Sequence, residues 1–360
     1  MKIVVCGLTI SSAWGNGHAT LWRGLCRGLH SLGHTVVFFE RDVPYYAQHR
    51  DMDGAPWCRL VLYDDWASGA RAVAQELRDA DVAIVTSYCP DGPAAARLVC
   101  DTGVPRTVFY DLDSPVTLDL LGRGETVPYL PQEGLGGFDL VLSYAGGDTL
   151  EQLRCRLGAK AVAPLYGSAD PDVHRPVPPS DSYRNALSYL GTYAADRQEA
   201  VDRLFLAAAR ARSDLTFALA GSQYPADFPW TANVRYFWHL PPDAHPSFFC
   251  SSGLTLNITR AAMAAAGHCP SGRLFEAAAC GAPIVSDSWP GLDEFFEPGK
   301  EILLAASTND VLSALDLAED ERLRIGQRGR ERTLDCHTAT VRAKDLERLL
   351  EPSWCGAGAA

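Results

Sequence analysis

Short continuous apolar runs alternate with helical stretches through the first half of the chain. Between the first two runs, residues 19–32 carry apolar side chains at helical spacing and end at Gly33, which is typical of a helix C-terminus. Continuous apolar strands separated by helices are typical of a parallel sheet covered on both faces. The pattern predicts a doubly wound α/β domain with strands at Lys2–Cys6, Thr35–Phe39, Asp81–Thr86, Arg106–Tyr110 and Asp139–Ser143.

The alternation breaks at residues 164–180, where five prolines lie in one short polar span. Such a span predicts a stiff connector, and a second alternation follows it. We therefore expect two similar α/β domains that face a cleft: residues 1–168, a linker at 169–185, a second domain at 186–338, and a C-terminal helix and tail at 339–360. Strands of the second domain are predicted at Leu187–Leu190, Leu215–Ala220, Val234–Phe237, Gly253–Asn257 and Pro283–Ser286, and helices at Asp196–Arg212, Ser271–Cys280 and from Asn309 onward.

Composition and charge narrow the classes of function. With 47% hydrophobic and 21% charged residues the chain is neither a disordered protein nor a coiled coil. Since no apolar run reaches the roughly 18 residues of a spanning helix, we expect no integral membrane segment. The net charge of -12 argues against a nucleic-acid partner, which needs a basic face, although a local basic patch would be hidden in that total.

The cysteines and the N-terminus point to a reducing compartment. The eleven cysteines are scattered, and none forms the Cys-x-x-Cys pair of zinc knuckles or thioredoxin-type sites. Residues 1–6 enter a strand directly and carry no apolar leader. We expect a cytoplasmic protein.

The loop after the first strand has part of a dinucleotide fingerprint. Gly15, Gly17 and Thr20 match some of its spacing, and Glu40 and Asp42 end the second strand, where a ribose-binding acid belongs. However, about nine residues separate the strand from these glycines, and a threonine replaces the third glycine. A dinucleotide-dependent oxidoreductase therefore stays an alternative with little support.

His18 lies near the start of the first predicted helix. The helix dipole there favours a neutral imidazole, which can act as a base or bind an acceptor hydroxyl. Alternatively, His18 only caps the helix or packs on Trp14.

Two acids follow the strand at 106–110. If the strand continues, Asp111 and Asp113 share one face, where they can act as a base, bind a substrate hydroxyl or hold a metal, although no third carboxylate is near. The alternative is an Asx turn into Ser114 and Pro115, which suits Asp113 in particular. Asp111 is the better functional candidate.

The densest candidate stretch comprises residues 257–260 and residues 268–287. Ser271 and Gly272 begin a predicted helix, whose free N–H groups suit a phosphate, and Arg273 adds a bidentate donor for the same anion. Glu276 lies about one turn further, where it can bind a diol such as ribose. Alternatively, Arg273 and Glu276 form only an exposed i, i+3 pair.

At this point the chain resembles a known family. Residues 271–287, followed by 291–301, resemble the donor-binding signature of GT-B glycosyltransferases, in particular the bacterial CgeB-like (spore-maturation type) proteins related to glycosyltransferase family 4. Segments 14–20, 110–115, 167–176 and 189–193 fit the same pattern, so that the resemblance spans nearly the whole chain. It implies two Rossmann-like domains, the second binding the nucleotide sugar and the first the acceptor, with the C-terminal helix crossing back onto the first.

The resemblance also implies roles for single residues. Glu276 matches the glutamate that holds the ribose hydroxyls, and Asp111 falls near the active-site histidine of family 4. Family 4 enzymes typically have two glutamates eight positions apart, but His268 stands eight before Glu276. Either His268 takes over the hydrogen bond near the transferred sugar and is a catalytic candidate, or the CgeB-like proteins organise that position differently. The residues matched to the donor diphosphate are Gly191, Thr192, Arg197, Ser271, Gly272 and Arg273.

The expected activity is transfer of a sugar from a nucleotide-diphosphate sugar, UDP or TDP, to an acceptor hydroxyl. The arginines and the helix N-terminus would stabilise the leaving diphosphate, so that we expect no metal and no other cofactor. The family 4 likeness implies retention, whereas inversion would need a base, for which Asp111 and His18 are the candidates. The acceptor stays open as a sugar, a small aglycone or a protein. A non-catalytic sugar-nucleotide-binding or scaffold protein of the same fold is the alternative.

Overall fold

The computed structural model describes residues 1–351, which divide into two compact units. Met1–Tyr166 forms the first unit together with the segment that begins at Ala339, and Gly167–Thr338 forms the second. The expected tail at 352–360, with Cys355, lies outside the described residues.

The first unit is built on a seven-stranded parallel sheet in the order β3-β2-β1-β4-β5-β6-β7. Its inner strands are buried on both faces, as every residue of β4 shows, because helices cover both sides. Its strands are β1 Lys2–Gly7, β2 Thr35–Arg41, β3 Arg59–Tyr63, β4 Val82–Thr86, β5 Arg106–Asp111, β6 Leu140–Ser143 and β7 Val162–Pro164. Its helices are α1 His18–Ser31, α2 Pro44–Ala47, α3 Trp66–Leu77, α4 Gly92–Asp101, α5 Ser114–Gly122 and α6 Asp148–Leu157.

The second unit has a six-stranded parallel sheet in the order β10-β9-β8-β11-β12-β13. Its strands are β8 Asn185–Leu190, β9 Phe217–Ala220, β10 Val234–Phe237, β11 Ser252–Asn257, β12 Ile284–Ser286 and β13 Leu303–Leu304. Its helices are α7 Gln198–Val201, α8 Ala207–Ala211, α9 His245–Cys250, α10 Ala261–Ala266, α11 Gly272–Ala279, α12 Thr308–Leu315 and α13 Glu319–Cys336. The helix predicted at 196–212 comprises a 3-10 turn at Ala195–Arg197, α7, a π-helical turn at Asp202–Leu206 and α8.

The proline-rich span begins at Pro164, the last residue of β7, and from Gly167 onward it belongs to the second unit. Ala169 pairs with Thr338, and His174 is buried. Most of this span is therefore an integral part of the second unit.

A final helix, α14 (Ala339–Leu350), packs against α1 in the first unit. Gly28 makes this contact close, since a Cβ there would lie 2.8 Å from the carbonyl oxygen of Ala339. At the end of the pair, His34 Nε2 lies 3.0 Å from Glu347. The predicted C-terminal helix that returns to the first domain is thereby confirmed.

The predicted fold class is confirmed as well: both units are Rossmann-like, with parallel sheets and crossover helices. In the part of the chain that the structure describes, no helix is long and apolar enough to cross a membrane.

Candidate functional site

The candidate phosphate site lies where the strand order of the second sheet reverses. β8 has β9 on one side and β11 on the other, so that the chain leaves the ends of β8 and β11 in opposite directions and opens a crevice there. Gly191 follows β8 and approaches Gly221, where a Cβ would lie 2.0 Å from the Gly191 carbonyl oxygen. Gly221 also has a φ of +148°, so only glycine fits this position.

The guanidinium groups of Arg197 and Arg273 both contact the Gly191–Thr192 loop. Arg197 donates to the Thr192 carbonyl, while its Nε is buried and finds no hydrogen-bond partner within residues 1–351. From the other side, Arg273 reaches Gly191, where a Cβ would lie 3.0 Å from Nη2. Burial lowers the pKa of Arg273, and the nearby charge of Arg197 acts in the same direction. Two like charges held this close favour an anion between them.

Arg273 is held in place by its neighbours. Its Nη1 donates to Asn257 Oδ1 at 3.1 Å, and its Cζ lies 5.3 Å from the centre of the Tyr189 ring. The amide nitrogen of Asn257 lies 3.0 Å from Ser286 Oγ and 3.4 Å from Asp287 Oδ1. This chain of contacts joins the ends of β11 and β12 to the guanidinium.

Helix α11 begins at the same place. Its N-cap residue Ser271 has an extended backbone, and its side chain makes no capping hydrogen bond. The Leu274 N–H donates to the Ser271 carbonyl at 3.0 Å, so that within residues 1–351 the N–H groups of Gly272 and Arg273 and the positive end of the dipole remain available to an anion. Ser271, Gly272 and Arg273 are thus brought together with Gly191, Thr192 and Arg197.

Glu276 lies one turn further along α11. Its Oε2 is 3.7 Å from His245 Nδ1, and its side chain is 14% exposed. Burial alone would raise the pKa of Glu276, but the neighbouring His174, His245 and Arg273 bring it down to about 2. Arg273 and Glu276 have different partners, so that the interpretation as an exposed i, i+3 pair is wrong.

His268 contacts the segment at residues 290–294. It has a φ of +45°, its Nδ1 is 3.1 Å from Glu294 Oε1, and its ring packs on Gly291. Its backbone N–H donates to the Pro290 carbonyl at 2.7 Å. The replacement of a family glutamate by His268 stays a prediction.

In the first unit, β5 ends at Asp111 and the strand does not continue to Asp113. Asp111 Oδ1 accepts from the backbone N–H of Asp113 at 3.0 Å. The Asx turn therefore exists, but Asp111 makes it, not Asp113. The other oxygen, Oδ2, is buried and has no hydrogen-bond partner in the described chain, and burial raises the pKa of Asp111 to about 6.

His18 is the first residue of α1. The Asn16 side chain caps this helix, accepting from the N–H groups of His18 at 3.1 Å and Ala19 at 3.2 Å. The His18 ring packs edge-on against Tyr88, at 5.3 Å between ring centres, and its Nδ1 is buried without a hydrogen-bond partner among residues 1–351. Burial lowers the pKa of His18, so that desolvation joins the expected dipole in favouring the neutral ring.

The Trp14 ring stacks on the His49 ring, with 3.9 Å between the ring centres. Tyr88, which contacts His18, also reaches the acids, because its hydroxyl donates to Asp113 Oδ2 at 2.8 Å. Tyr88 has a φ of +63°, a strained conformation for a bulky residue.

Glu40 is an internal support of the loop after β1. Its fully buried carboxylate accepts from Thr9 Oγ1 at 2.9 Å and Ile10 N at 2.8 Å, and from Ser11 N at 3.0 Å and Ser11 Oγ at 2.6 Å. Asp42 pairs with Arg50 at 2.8 Å. Both acids have partners within the chain, which argues against a dinucleotide ribose here.

Sequence reasoning missed His174, His245 and Tyr88. His174 lies in the span interpreted as a linker, and His245 and Tyr88 belong to no recognisable spacing. Asn257 and Asp287 lie in the candidate stretch, but no individual role was predicted for them. Only the tertiary structure brings them to the sites.

Two crossover α/β units of this kind define the class of fold found in GT-B glycosyltransferases. Residues 197–348 match the family model described as "Glycosyl transferase-like". A search of curated proteins finds no match.

Several solved structures are similar over nearly the whole chain. Sucrose-phosphate synthase from Thermosynechococcus elongatus is 14% identical with a TM-score of 0.70, over 97% of this chain and 98% of its own. Anabaena HepE, solved with UDP and glucose, is 14% identical with a TM-score of 0.65, over 97% and 99%. An α-glucosyltransferase solved with UDP-glucose and DNA containing an abasic site is 13% identical with a TM-score of 0.71, over 97% and 99%. The chain therefore has the GT-B glycosyltransferase fold. The CgeB-like and family 4 assignments stay predictions.

Proposed function

We propose that this protein is a glycosyltransferase that moves a sugar from a nucleotide-diphosphate sugar to an acceptor hydroxyl. The observation that carries the proposal is the convergence of Arg197 and Arg273 on the Gly191–Thr192 loop, with Glu276 one helical turn away. Two fixed cations and a helix N-terminus suit a diphosphate, and a carboxylate at that distance suits the hydroxyls of the attached ribose. The solved relatives that hold UDP or UDP-glucose support the same ligand class.

The proposed donor is a sugar linked to UDP or TDP. On departure the diphosphate gains negative charge, and Arg197, Arg273 and the N-terminus of α11 would stabilise this charge as it develops. These groups supply the electrostatic stabilisation from the protein itself, so that we propose transfer without a metal ion.

We further propose retention of configuration at the sugar carbon. The bond between that carbon and the diphosphate oxygen breaks, the acceptor oxygen forms its bond on the same face, and the acceptor proton passes to the departing phosphate oxygen. No protein base is then required for the transfer. Asp111 and His18 are proposed as acceptor-side groups that bind the hydroxyl before it reacts.

The acceptor remains the open part of the proposal. The net charge of -12 disfavours a polyanion such as nucleic acid, and the proposed acceptor is the hydroxyl of a sugar, a small aglycone or a protein. We place the protein in the cytoplasm.

A ligand panel tests the proposal. Thermal stabilisation of the purified protein is measured with UDP, TDP, GDP, their glucose conjugates, nicotinamide dinucleotides and flavins, because a ligand that binds the native state raises the midpoint. Stabilisation by UDP or TDP and their sugar conjugates alone is expected. Stabilisation by a nicotinamide or flavin dinucleotide alone would overturn the proposal.

Binding without turnover would point to the non-catalytic alternative. Slow hydrolysis of the bound sugar nucleotide, followed as release of the nucleoside diphosphate, separates the two even when the acceptor is unknown. A hydrolysis rate that is lost in Arg273→Ala supports an enzyme, and tight binding with no hydrolysis or transfer to any acceptor in a broad hydroxyl library would favour a binding protein.

A further inference from the structure

Two histidines and a glutamate of the second unit meet at one point although they come from three separate segments. His174 lies in the proline-rich span, His245 begins α9, and Glu276 lies inside α11. One possible ligand atom from each lies within 4.8 Å of the other two. His174 is buried, and the side chains of His245 and Glu276 are 12% and 14% exposed.

A hydrogen bond of His245 Nε2, the ring nitrogen that does not face Glu276, fixes the orientation and the tautomer of the ring. Nε2 lies 3.2 Å from the carbonyl oxygen of Leu240, and because a carbonyl only accepts, Nε2 carries the hydrogen. In the neutral ring, Nδ1 then directs a lone pair towards Glu276 Oε2 at 3.7 Å. This buried Nδ1 has no hydrogen-bond partner in the described part of the chain. Two electron-rich atoms that face each other at this distance are stabilised by a cation between them.

The distances suit a metal ion better than a direct hydrogen bond. A separation of 3.7 Å exceeds hydrogen-bond length, whereas two ligands of a tetrahedral zinc ion lie about 3.3 Å apart when each bond is about 2.0–2.1 Å. Small side-chain rotations would bring the widest separation, 4.8 Å at most, into this range. A backbone carbonyl on the outer nitrogen is the usual support of a metal-binding histidine.

The ligand types select the class of ion. Two imidazole nitrogens and one carboxylate suit Zn²⁺ and its first-row neighbours, whereas Mg²⁺ prefers oxygen ligands and keeps its water. With three protein ligands, a fourth position stays open.

We propose that His174, His245 and Glu276 bind a divalent transition-metal ion of the Zn²⁺ type, and that this ion and the donor ribose exclude each other at Glu276. The second half of this statement rests on the proposed function, because there Glu276 also holds the ribose. The ion would then inhibit the transferase by occupying the carboxylate, and it takes no part in the transfer.

Metal titration without nucleotide tests the first half. Tag-free protein is stripped with EDTA, dialysed, and titrated with Zn²⁺ by calorimetry and with Co²⁺ by visible absorption; Mg²⁺ serves as the reference ion. We expect one Zn²⁺ per chain, the strong visible bands of tetrahedral Co²⁺, and at least tenfold weaker binding in His245→Gln and His174→Gln. His30→Gln, which changes an exposed histidine on α1, is the matched control and should bind like wild type.

Two other outcomes of these titrations would overturn the proposed metal site. Absence of stoichiometric Zn²⁺ binding to the folded wild-type protein would mean that only a proton is held between His245 and Glu276. Equal affinity in wild type and in both folded histidine variants, checked by circular dichroism, would place the ion elsewhere.

Nucleotide titration tests the second half. UDP affinity is measured in EDTA and again at a Zn²⁺ concentration that saturates the site. We expect at least tenfold weaker UDP binding with Zn²⁺ in wild type and no change in His245→Gln, which also corrects for chelation of Zn²⁺ by UDP in solution. Undiminished UDP binding to the Zn²⁺-loaded protein would overturn the exclusion. If UDP fails to bind even in EDTA while Zn²⁺ binds, the proposed function is wrong and the metal site is supported. If UDP binds and Zn²⁺ does not, the metal site is wrong and the proposed function is supported.

Discussion

The guanidinium of Arg273 donates to the side-chain oxygen of Asn257 at 3.1 Å, which ties the first turn of α11 to the end of β11. A charged group that is both buried and hydrogen-bonded loses little conformational freedom when a ligand arrives, so that more of its interaction energy stabilises the complex. The fixed arrangement of side chains in the phosphate site therefore depends on Asn257 as well as on Arg273.

Removal of Arg273 should weaken nucleotide binding strongly. A hydrogen bond to a charged group contributes about 1.5–3 kcal/mol, so that Arg273→Ala should raise the Kd for UDP roughly ten- to a hundredfold. Asn257→Ala should raise it less, and it should add little in the Arg273→Ala background, because both variants remove the same interaction. Calorimetry measures all three. Arg203→Ala removes an exposed arginine paired with Glu199 and serves as the control; additive losses in the double variant would contradict the coupling.

Replacement of Glu276 should discriminate between ligands that differ in their sugar hydroxyls. If its carboxylate holds both ribose hydroxyls, Glu276→Ala loses more affinity for UDP than for TDP, whose sugar lacks the 2′-hydroxyl. Pyrophosphate contains no sugar, and its binding should stay within about twofold of wild type. Parallel calorimetric titrations with the three ligands check this. An equal loss for all three would mean that the substitution disturbs the whole site.

Asp111 should make stability depend on pH. Burial raises its pKa from 3.8 to about 6, so the folded state binds this proton more tightly than the unfolded state does. The contribution of Asp111 to the free energy of unfolding is therefore fully present below pH 3.8 and falls as pH rises to about 6. Two pKa units correspond to about 3 kcal/mol. Relative to wild type, Asp111→Asn should gain stability across this interval.

Denaturant unfolding of both proteins at a series of pH values measures this difference. Asp119→Asn, which changes an exposed acid on α5, should show no such trend. If Asp111 must be ionised to bind the acceptor hydroxyl, turnover should also rise through pH 6 in wild type, and that limb should be absent in Asp111→Asn. A flat stability difference between pH 4 and 7 would contradict the raised pKa.

The carboxylate of Glu40 should matter through the loop that it supports. Glu40→Ala removes the acceptor of four hydrogen bonds and leaves buried donors without a partner, which should cost about 2–4 kcal/mol of unfolding free energy. Glu40→Gln keeps an oxygen for the two backbone N–H groups, and the hydroxyls of Thr9 and Ser11 can turn towards its amide, so that its loss should be smaller. Denaturant midpoints of Glu40→Ala and Glu40→Gln measure which variant loses more stability. Equal losses in the two variants would show that volume, not hydrogen bonding, holds the loop.

A larger residue at Gly28 should separate α14 from α1. Its Cβ would meet the carbonyl oxygen of Ala339 at 2.8 Å and the Cβ of Ala343 at 2.9 Å, and such crowding costs about 1–3 kcal/mol. In Gly28→Val, amide hydrogens of residues 339–350 should exchange faster. Gly122→Ala, where the nearest atom lies at 3.7 Å, is the control and should exchange like wild type. Unchanged protection in Gly28→Val would place the stability of α14 in other contacts.

Inner strands could be predicted from the sequence because burial on both faces makes them continuously apolar. The inner strands β1, β4 and β5 are predicted within one residue of their observed bounds. β10 is an edge strand whose four residues are all only partly buried, yet it is predicted at its observed bounds. β3 was missed because most of its residues are only partly buried, which leaves a mixed pattern, and β13 because it has only two residues. Burial therefore explains why the inner strands are predicted from the sequence, whereas it does not explain the prediction of β10.

The candidate site could be predicted only where neighbours in sequence are also neighbours in space. Arg273 and Glu276 share one helix, so that their spacing carries information about a common ligand. His174, His245 and Asn257 come from separate segments, and only the tertiary structure brings them to α11. Tyr88 donates to Asp113 from a backbone with a positive φ, a conformation that no side-chain pattern predicts.

The position of α14 has a consequence for how the protein is made. The face of α1 that packs against α14 is synthesised early. Helix α14 itself is synthesised only after the whole second unit. At about 5–20 residues per second, the ribosome needs roughly ten to thirty seconds to add the intervening segment. During that interval the first unit presents an apolar helix face to the cell, whereas the second unit is one continuous piece of chain. We therefore expect nascent chains to need chaperone protection at the N-terminal half until residues 339–350 emerge.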